Sequence, residues 1–222
     1  MQTTFNSLFD IYPDKVYKGA VVGYRKTDGS MLEFPCALET GDAVKDAKGR
    51  WTASALGLTP VVAEYSGALK HTFAKEAWIG DGFCEDPDAW DADENATLES
   101  VRFVDDVTEI GFCAFAECTA LTSITIPSSV TAIGWHAFDG CSALTSIMIS
   151  EGVTEIGTGA FGVCFGLTNI TIPDSVTLIG NYAFVHCVSL TDIYVNQPES
   201  DLLDKADLPD GCTVHWKQAE AV

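Results

Sequence analysis

Residues 121–143 read LTSITIPSSVTAIGWHAFDGCSA, and residues 144–166 read LTSIMISEGVTEIGTGAFGVCFG. The two align without a gap, and so do their neighbours outward on both sides: LESVRFVDDVTEIGFCAFAECTA at 98–120 and LTNITIPDSVTLIGNYAFVHCVS at 167–189, followed by a partial LTDIYVN. Leu98, Leu121, Leu144, Leu167 and Leu190 therefore recur at intervals of 23. Several independent positions repeat four times over, which excludes coincidence and makes internal repetition the first fact about the chain.

The physical meaning lies in where the apolar positions fall. Leu121, Ile124 and Ile126 contain the two-residue alternation of a strand with one buried face, while Val130, Ile133, Ala137, Phe138 and Cys141 complete an inward ring. A single coil cannot bury such a ring. Stacking coils at the strand spacing of roughly 4.8 Å lays Leu on Leu, Ile on Ile and Phe on Phe, so that each ladder becomes continuous core. The expected result is a short solenoid with a parallel sheet along one face. Gly111, Gly134, Gly157 and Gly180 mark one place in every coil, as a tight corner or a left-handed backbone position requires.

The shared pattern, L-x-x-I-x-I-x-x-x-V-T-x-I-G-x-x-A-F-x-x-C, resembles the BspA-like subclass of the leucine-rich repeat over about residues 98–196. That resemblance implies a solenoid without catalytic machinery in its repeats, and a surface or secreted protein that binds macromolecules or mediates adhesion. Cys118, Cys141, Cys164 and Cys187 form one ladder of the pattern. In-register side chains point the same way, so free buried thiols are expected rather than bridges. No C-x-x-C pair offers zinc ligands.

Outside the repeats the chain divides into an N-terminal region, 1–76, a short stretch, 77–97, and a tail, 197–222. Trp78 to Cys84, WIGDGFC, echoes the I-G-x-x-A-F corner, so 77–97 is an acidic linker or a degenerate first coil. Its acidic run, 85–94, suggests a calcium loop, but Ala96 stands where such a loop needs Gly and Arg102 where it needs Glu, so a solvated loop is expected. In the tail, Leu202, Leu203 and Leu208 are placed to cover the open core, and CTVHW after PDG reads as a last strand. The N-terminal region shows turn signals at Thr27 to Ser30, at Asp46 to Gly49 and around Gly67 between strand-like runs, which predicts a small β-sandwich or barrel. Its GDAVKDAKGRWTA stretch resembles strand pairs in virion decoration or cement proteins.

Composition narrows the partners. Twelve Lys and Arg against 32 Asp and Glu give a net charge of -20, while 47% of residues are hydrophobic, so the chain has a core despite its charge. Residues 98–197 hold ten acidic residues and a single cation, Arg102. Nucleic acid and anionic membrane both need basic patches and are not expected partners. No long apolar span appears, and MQTTFNSLFDIYPDK lacks the basic start of a secretory leader. His71, His136, His186 and His215 are scattered, no nucleotide or hydrolase motif occurs, and no cofactor is implied. An enzyme is not expected.

Two exposed surfaces are candidates for binding a protein or glycan. Between the second and third ladder positions the sheet face presents Arg102, Thr125, Met148, Thr171 and Tyr194, beside Glu99, Thr122, Thr145, Thr168 and Thr191. On the other side Phe112, Trp135 and Tyr182 fall at corners. The expectation is an interaction protein whose N-terminal domain anchors it to a larger assembly, on a virion surface or, alternatively, as a bacterial cell-surface or secreted adhesin.

Overall fold

The computed structural model describes residues 2–14, 20–41, 43–63, 76–80 and 98–218. Cys84, His71, the turn around Gly67 and the acidic run 85–94 lie outside the described residues. The solenoid is built on four-residue strands that recur once per coil: β8 (Ser100–Phe103), β10 (Ser123–Ile126), β12 (Ser146–Ile149), β14 (Asn169–Ile172) and β16 (Asp192–Val195). β10 pairs parallel with β12, and β14 with β16, both in a register shifted by one whole repeat, such as Ile124 against Ile147 and Ile170 against Ile193. Alternation along β10, β12 and β14 buries the isoleucines and exposes the residues between them, whereas Val101 and Phe103 of β8 are half-buried.

A second parallel sheet, absent from the sequence expectation, runs along the opposite side. It consists of two-residue strands β9 (Glu109–Ile110), β11 (Ala132–Ile133), β13 (Glu155–Ile156) and β15 (Leu178–Ile179). Between the sheets lie the ladders. Phe115, Phe138, Phe161 and Phe184 are fully buried and stack with centroids 5.1, 5.4 and 5.7 Å apart and rings within 11° of parallel. Phe103 meets the first of them edge-on at 6.4 Å, closing that stack.

The cysteine ladder does more than fill space. The thiols of Cys141, Cys164 and Cys187 each donate to the carbonyl of the Phe 26 residues earlier, Phe115, Phe138 and Phe161, at 3.1, 3.2 and 2.9 Å. All are free. The neighbouring thiol of the ladder, followed by burial, pushes the Cys141 and Cys164 thiols far above their ordinary range, so both stay protonated.

The recurrent glycines are explained by close approach, not by left-handed backbone. A Cβ on Gly134 would stand 2.7 Å from the Gly111 carbonyl carbon, and one on Gly157 would stand 2.7 Å from that of Gly134. The left-handed turn falls two residues later, at Cys113, His136, Gly159 and Tyr182, with φ of 47, 52, 61 and 58°. A further left-handed column comprises Glu117, Gly140, Val163 and His186. Non-glycine residues are held there because their amides bond across coils, as His136 N does to Thr158 O at 2.9 Å.

At the C-terminal end the tail imitates a coil. Lys205 and Ala206 offer their carbonyls to Tyr182 N and Phe184 N, Leu203 and Ala206 are buried, and Leu202 and Leu208 are half-buried against the core. β17 (Thr213–Trp216) then pairs parallel with β16, matching Tyr194 to His215.

The N-terminal strands are β1 (Gln2–Phe5), β2 (Ile11–Tyr12), β3 (Ala20–Arg25), β4 (Cys36–Glu39), β5 (Trp51–Thr52), β6 (Thr59–Ala63) and β7 (Glu76–Ile79). The turns at 27–30 and 46–49 form, but their flanks do not pair as simple hairpins. After the first, Met31 makes only an isolated bridge to Arg25. β4 pairs antiparallel with β1, and β5 pairs parallel with β2. The four-stranded sheet β6-β3-β7-β8 continues into the solenoid, because β7 pairs parallel with β8. The N-terminal region is therefore laid over the first coil rather than standing apart from it, and no closed barrel forms among the described residues.

Asp105 fastens that junction. It accepts from Lys48 Nζ at 2.8 Å and Arg50 Nη1 at 2.9 Å, and its amide donates to Tyr12 Oη at 2.9 Å. The Arg50 guanidinium lies 3.4 Å from the Tyr12 ring centre. Lys48 first, and Arg50 after it, hold the Asp105 carboxyl below the usual carboxylate range.

Candidate functional site

Each sheet-face residue singled out from the sequence is exposed: Arg102, Thr125, Met148, Thr171 and Tyr194. Strand register aligns Thr125 with Met148 and Thr171 with Tyr194. Met148 is 63% exposed and Tyr194 44%. The flanking Thr column is partly committed to the fold. Thr145 donates both amide and hydroxyl to the carbonyl of Thr122, and Thr191 donates its amide to that of Thr168. These bonds tie successive coils together along the column.

Tertiary structure adds an aromatic group at each end of the column. At the N-terminal end the register matches Trp78 to Arg102, and the 3-10 turn Leu8–Asp10 crosses the face. Ser7 and Asp10 cap that turn reciprocally, which aims Phe9 at the edge of Trp78, 5.5 Å away. Trp78 Nε1 donates to the Ile11 carbonyl at 3.0 Å, and the Arg102 guanidinium lies 4.8 Å from the Phe9 ring centre. Between this turn and the strands runs an open groove of about 640 Å³, lined by Phe9, Ser100, Arg102, Ser123 and Thr125 among others. It sets a cation, an aromatic ring and three hydroxyl-bearing side chains on one surface.

At the C-terminal end Tyr194 and His215 stack with centroids 4.6 Å apart and rings 12° from parallel. Asp192 orients the imidazole, with Nε2 and Oδ1 2.7 Å apart, and accepts from Thr191 Oγ1 at 2.8 Å. The His215 side chain bonded to it, then Thr191, holds the Asp192 carboxyl below its ordinary range. His215 is missed by the period, since it follows Tyr194 by 21 residues and not 23. Phe9 carries no repeat signal at all.

On the opposite side the three corner aromatics do not form one group. Phe112 and Trp135 share a register and a cleft of about 270 Å³. Tyr182 lies one position later, in the left-handed column with His136, and borders the cap beside Lys205, Asp204 and Asp207. All three are exposed, at 45%, 59% and 59%.

Among the described residues no three His, Cys, Asp or Glu side chains converge as a metal set, and no helix is long and apolar enough to cross a membrane.

Residues 92–206 match the BspA type leucine-rich repeat region in six copies. The chain belongs to the BspA-type leucine-rich repeat family. The family match starts ahead of Leu98 and runs into the tail, consistent with the corner that Lys205 and Ala206 supply. No curated protein matches the chain. Among solved structures, a leucine-rich repeat protein from Bacteroides ovatus is 24% identical with a TM-score of 0.52, over 65% of this chain and 43% of that one. It shares the fold. A T. pallidum leucine-rich repeat protein is 27% identical with a TM-score of 0.40, over 64% and 57%. A leucine-rich cell surface protein from Faecalibacterium prausnitzii is 23% identical with a TM-score of 0.42, over 77% and 52%. This BspA-type chain thus spans only about half the length of these solved relatives.

Proposed function

We propose that the chain is a non-enzymatic recognition protein that presents the sheet face of its solenoid to a protein or glycan surface. The observation that carries this is the side-chain column itself. Met148 stays exposed between two aromatic ends, one of them formed by Tyr194 itself, where the fold asks only for strand-compatible residues. Family membership supports a binding or adhesive role at a bacterial cell surface or in secretion, and the acidity of the repeats disfavours nucleic acid and anionic membrane. The N-terminal region serves as the anchor to a larger assembly, leaving the column beyond Arg102 free. Its resemblance to decoration proteins supports a virion surface as the other setting.

Binding of the purified chain to arrayed glycans and host or bacterial surface proteins tests the role. Replacing Met148 and Tyr194 together by Asp is expected to abolish the strongest signal. Unchanged binding refutes the sheet face. Mass spectrometry on purified particles and on washed cell envelopes separates the two settings, and recovery solely from cytosol overturns both.

A further inference from the structure

The back sheet carries a feature independent of the sheet face. Strand register places Glu109, Ala132 and Glu155 side by side on β9, β11 and β13, while Ile110, Ile133 and Ile156 point into the core. Ala132 leaves a notch between the two glutamates, whose positions are two strand spacings, about 10 Å, apart. The corner that follows these strands swings Phe112 and Trp135 alongside, and together they line the 270 Å³ cleft. The same corner position carries Thr158 and Asn181 in the next two coils, so the fold does not require an aromatic there. Both glutamates are exposed, and neither is paired among the described residues. The single cation of residues 98–197, Arg102, belongs to the other face.

We propose that this cleft is a docking site for a cationic side chain, lysine or arginine, on a basic segment of a partner protein. A cation over the indole face is attracted by the ring quadrupole. Its aliphatic stem covers Phe112 and Ala132, while Glu109 and Glu155 bracket the charge. An anionic ligand is repelled by the carboxylates, and an apolar plug strands them without water or partner. The net charge of -20 draws a basic segment in from a distance, and the cleft gives it a place to sit.

The test is calorimetric titration of the full chain with a hexalysine peptide and with its fully acetylated form, at about 150 mM ionic strength to screen diffuse attraction. Hexalysine is expected to bind and the acetylated peptide not to. Trp135→Thr, which leaves the charge unchanged, should weaken binding at least about fivefold. Glu109→Gln with Glu155→Gln should do the same. Trp135→Phe should restore most of the affinity. Glu199→Gln with Asp210→Asn, which removes the same charge elsewhere, should have less than about a twofold effect. Equal weakening by that control, full binding by the Trp135→Thr chain, or no binding of hexalysine overturns the proposal. So does self-association of the wild type that Trp135→Thr abolishes, because the occupant is then a second copy. Met148→Asp with Tyr194→Asp should leave hexalysine binding intact, which separates this site from the sheet face.

Discussion

Replacing Gly134 by Ala adds one methyl group, and its effect separates two explanations of the recurrent glycine. The backbone of Gly134 lies outside the left-handed region, so alanine fits its dihedral angles and should stabilise by about 0.5–1 kcal/mol through the unfolded chain. Packing opposes this. The new Cβ would meet the Gly111 carbonyl carbon at 2.7 Å and the Gly111 and Ile110 oxygens at 2.8 Å, all backbone atoms. Ordinary contact begins near 3.4 Å, so the coils must part by about 0.7 Å. That stretches the 2.8 Å bond from Gly134 N to Ile110 O beyond useful length. Losing it costs about 0.5–1.5 kcal/mol and the overpacking about 1–3. After the entropic gain the net loss is about 0.5–4 kcal/mol, with a central value of about 2. With a urea slope of about 2 kcal/mol/M the midpoint falls by about 1 M, read from tryptophan fluorescence and circular dichroism together. Gly29→Ala provides the contrast: its φ is 85° with nothing within 4 Å, so it loses about 1 kcal/mol from conformation alone. A Gly134→Ala chain as stable as the wild type would refute the close-approach argument.

Phe138→Ala, which removes the middle of the ring stack, should cost about 3–5 kcal/mol, whereas Trp135→Thr three residues earlier should stay within about 0.5 kcal/mol. Urea denaturation of the two variants side by side checks this, and equal effects would contradict the assignment of inward and outward positions. Asp105 makes the N-terminal junction sensitive to acid. Its folded pKa lies below the unfolded value of about 3.9, so its contribution is complete above that pH and is lost as pH falls through the folded pKa. Limited proteolysis should therefore cut residues 1–76 faster on acidification below about pH 4, and Asp105→Asn should show fast cutting already at neutral pH. Cutting of the variant at the wild-type rate under both conditions would dismiss Asp105 as the fastener.

The solenoid, its length of repeat, its buried ladders and the outward column from Arg102 to Tyr194 were legible along the chain. The reason is periodicity: a 23-residue repeat lays like residues on like, so burial in one inner coil predicts burial in its neighbours. Tertiary structure alone decided the rest, where the period stops. Phe9, Trp78 and His215 joined the sheet face because segments outside the repeat fold back onto its two ends. The β6-β3-β7-β8 sheet was equally hidden, since short turns in sequence do not say which distant strand will satisfy an open edge. The glycine column was visible, but whether it served dihedral freedom or close contact depended on the neighbouring coil. Glu109 and Glu155 gained meaning only when a second sheet placed them on either side of Ala132, beside an exposed tryptophan. A recurring core can be read along the chain, whereas a surface is made by what the stack and its ends bring together in space.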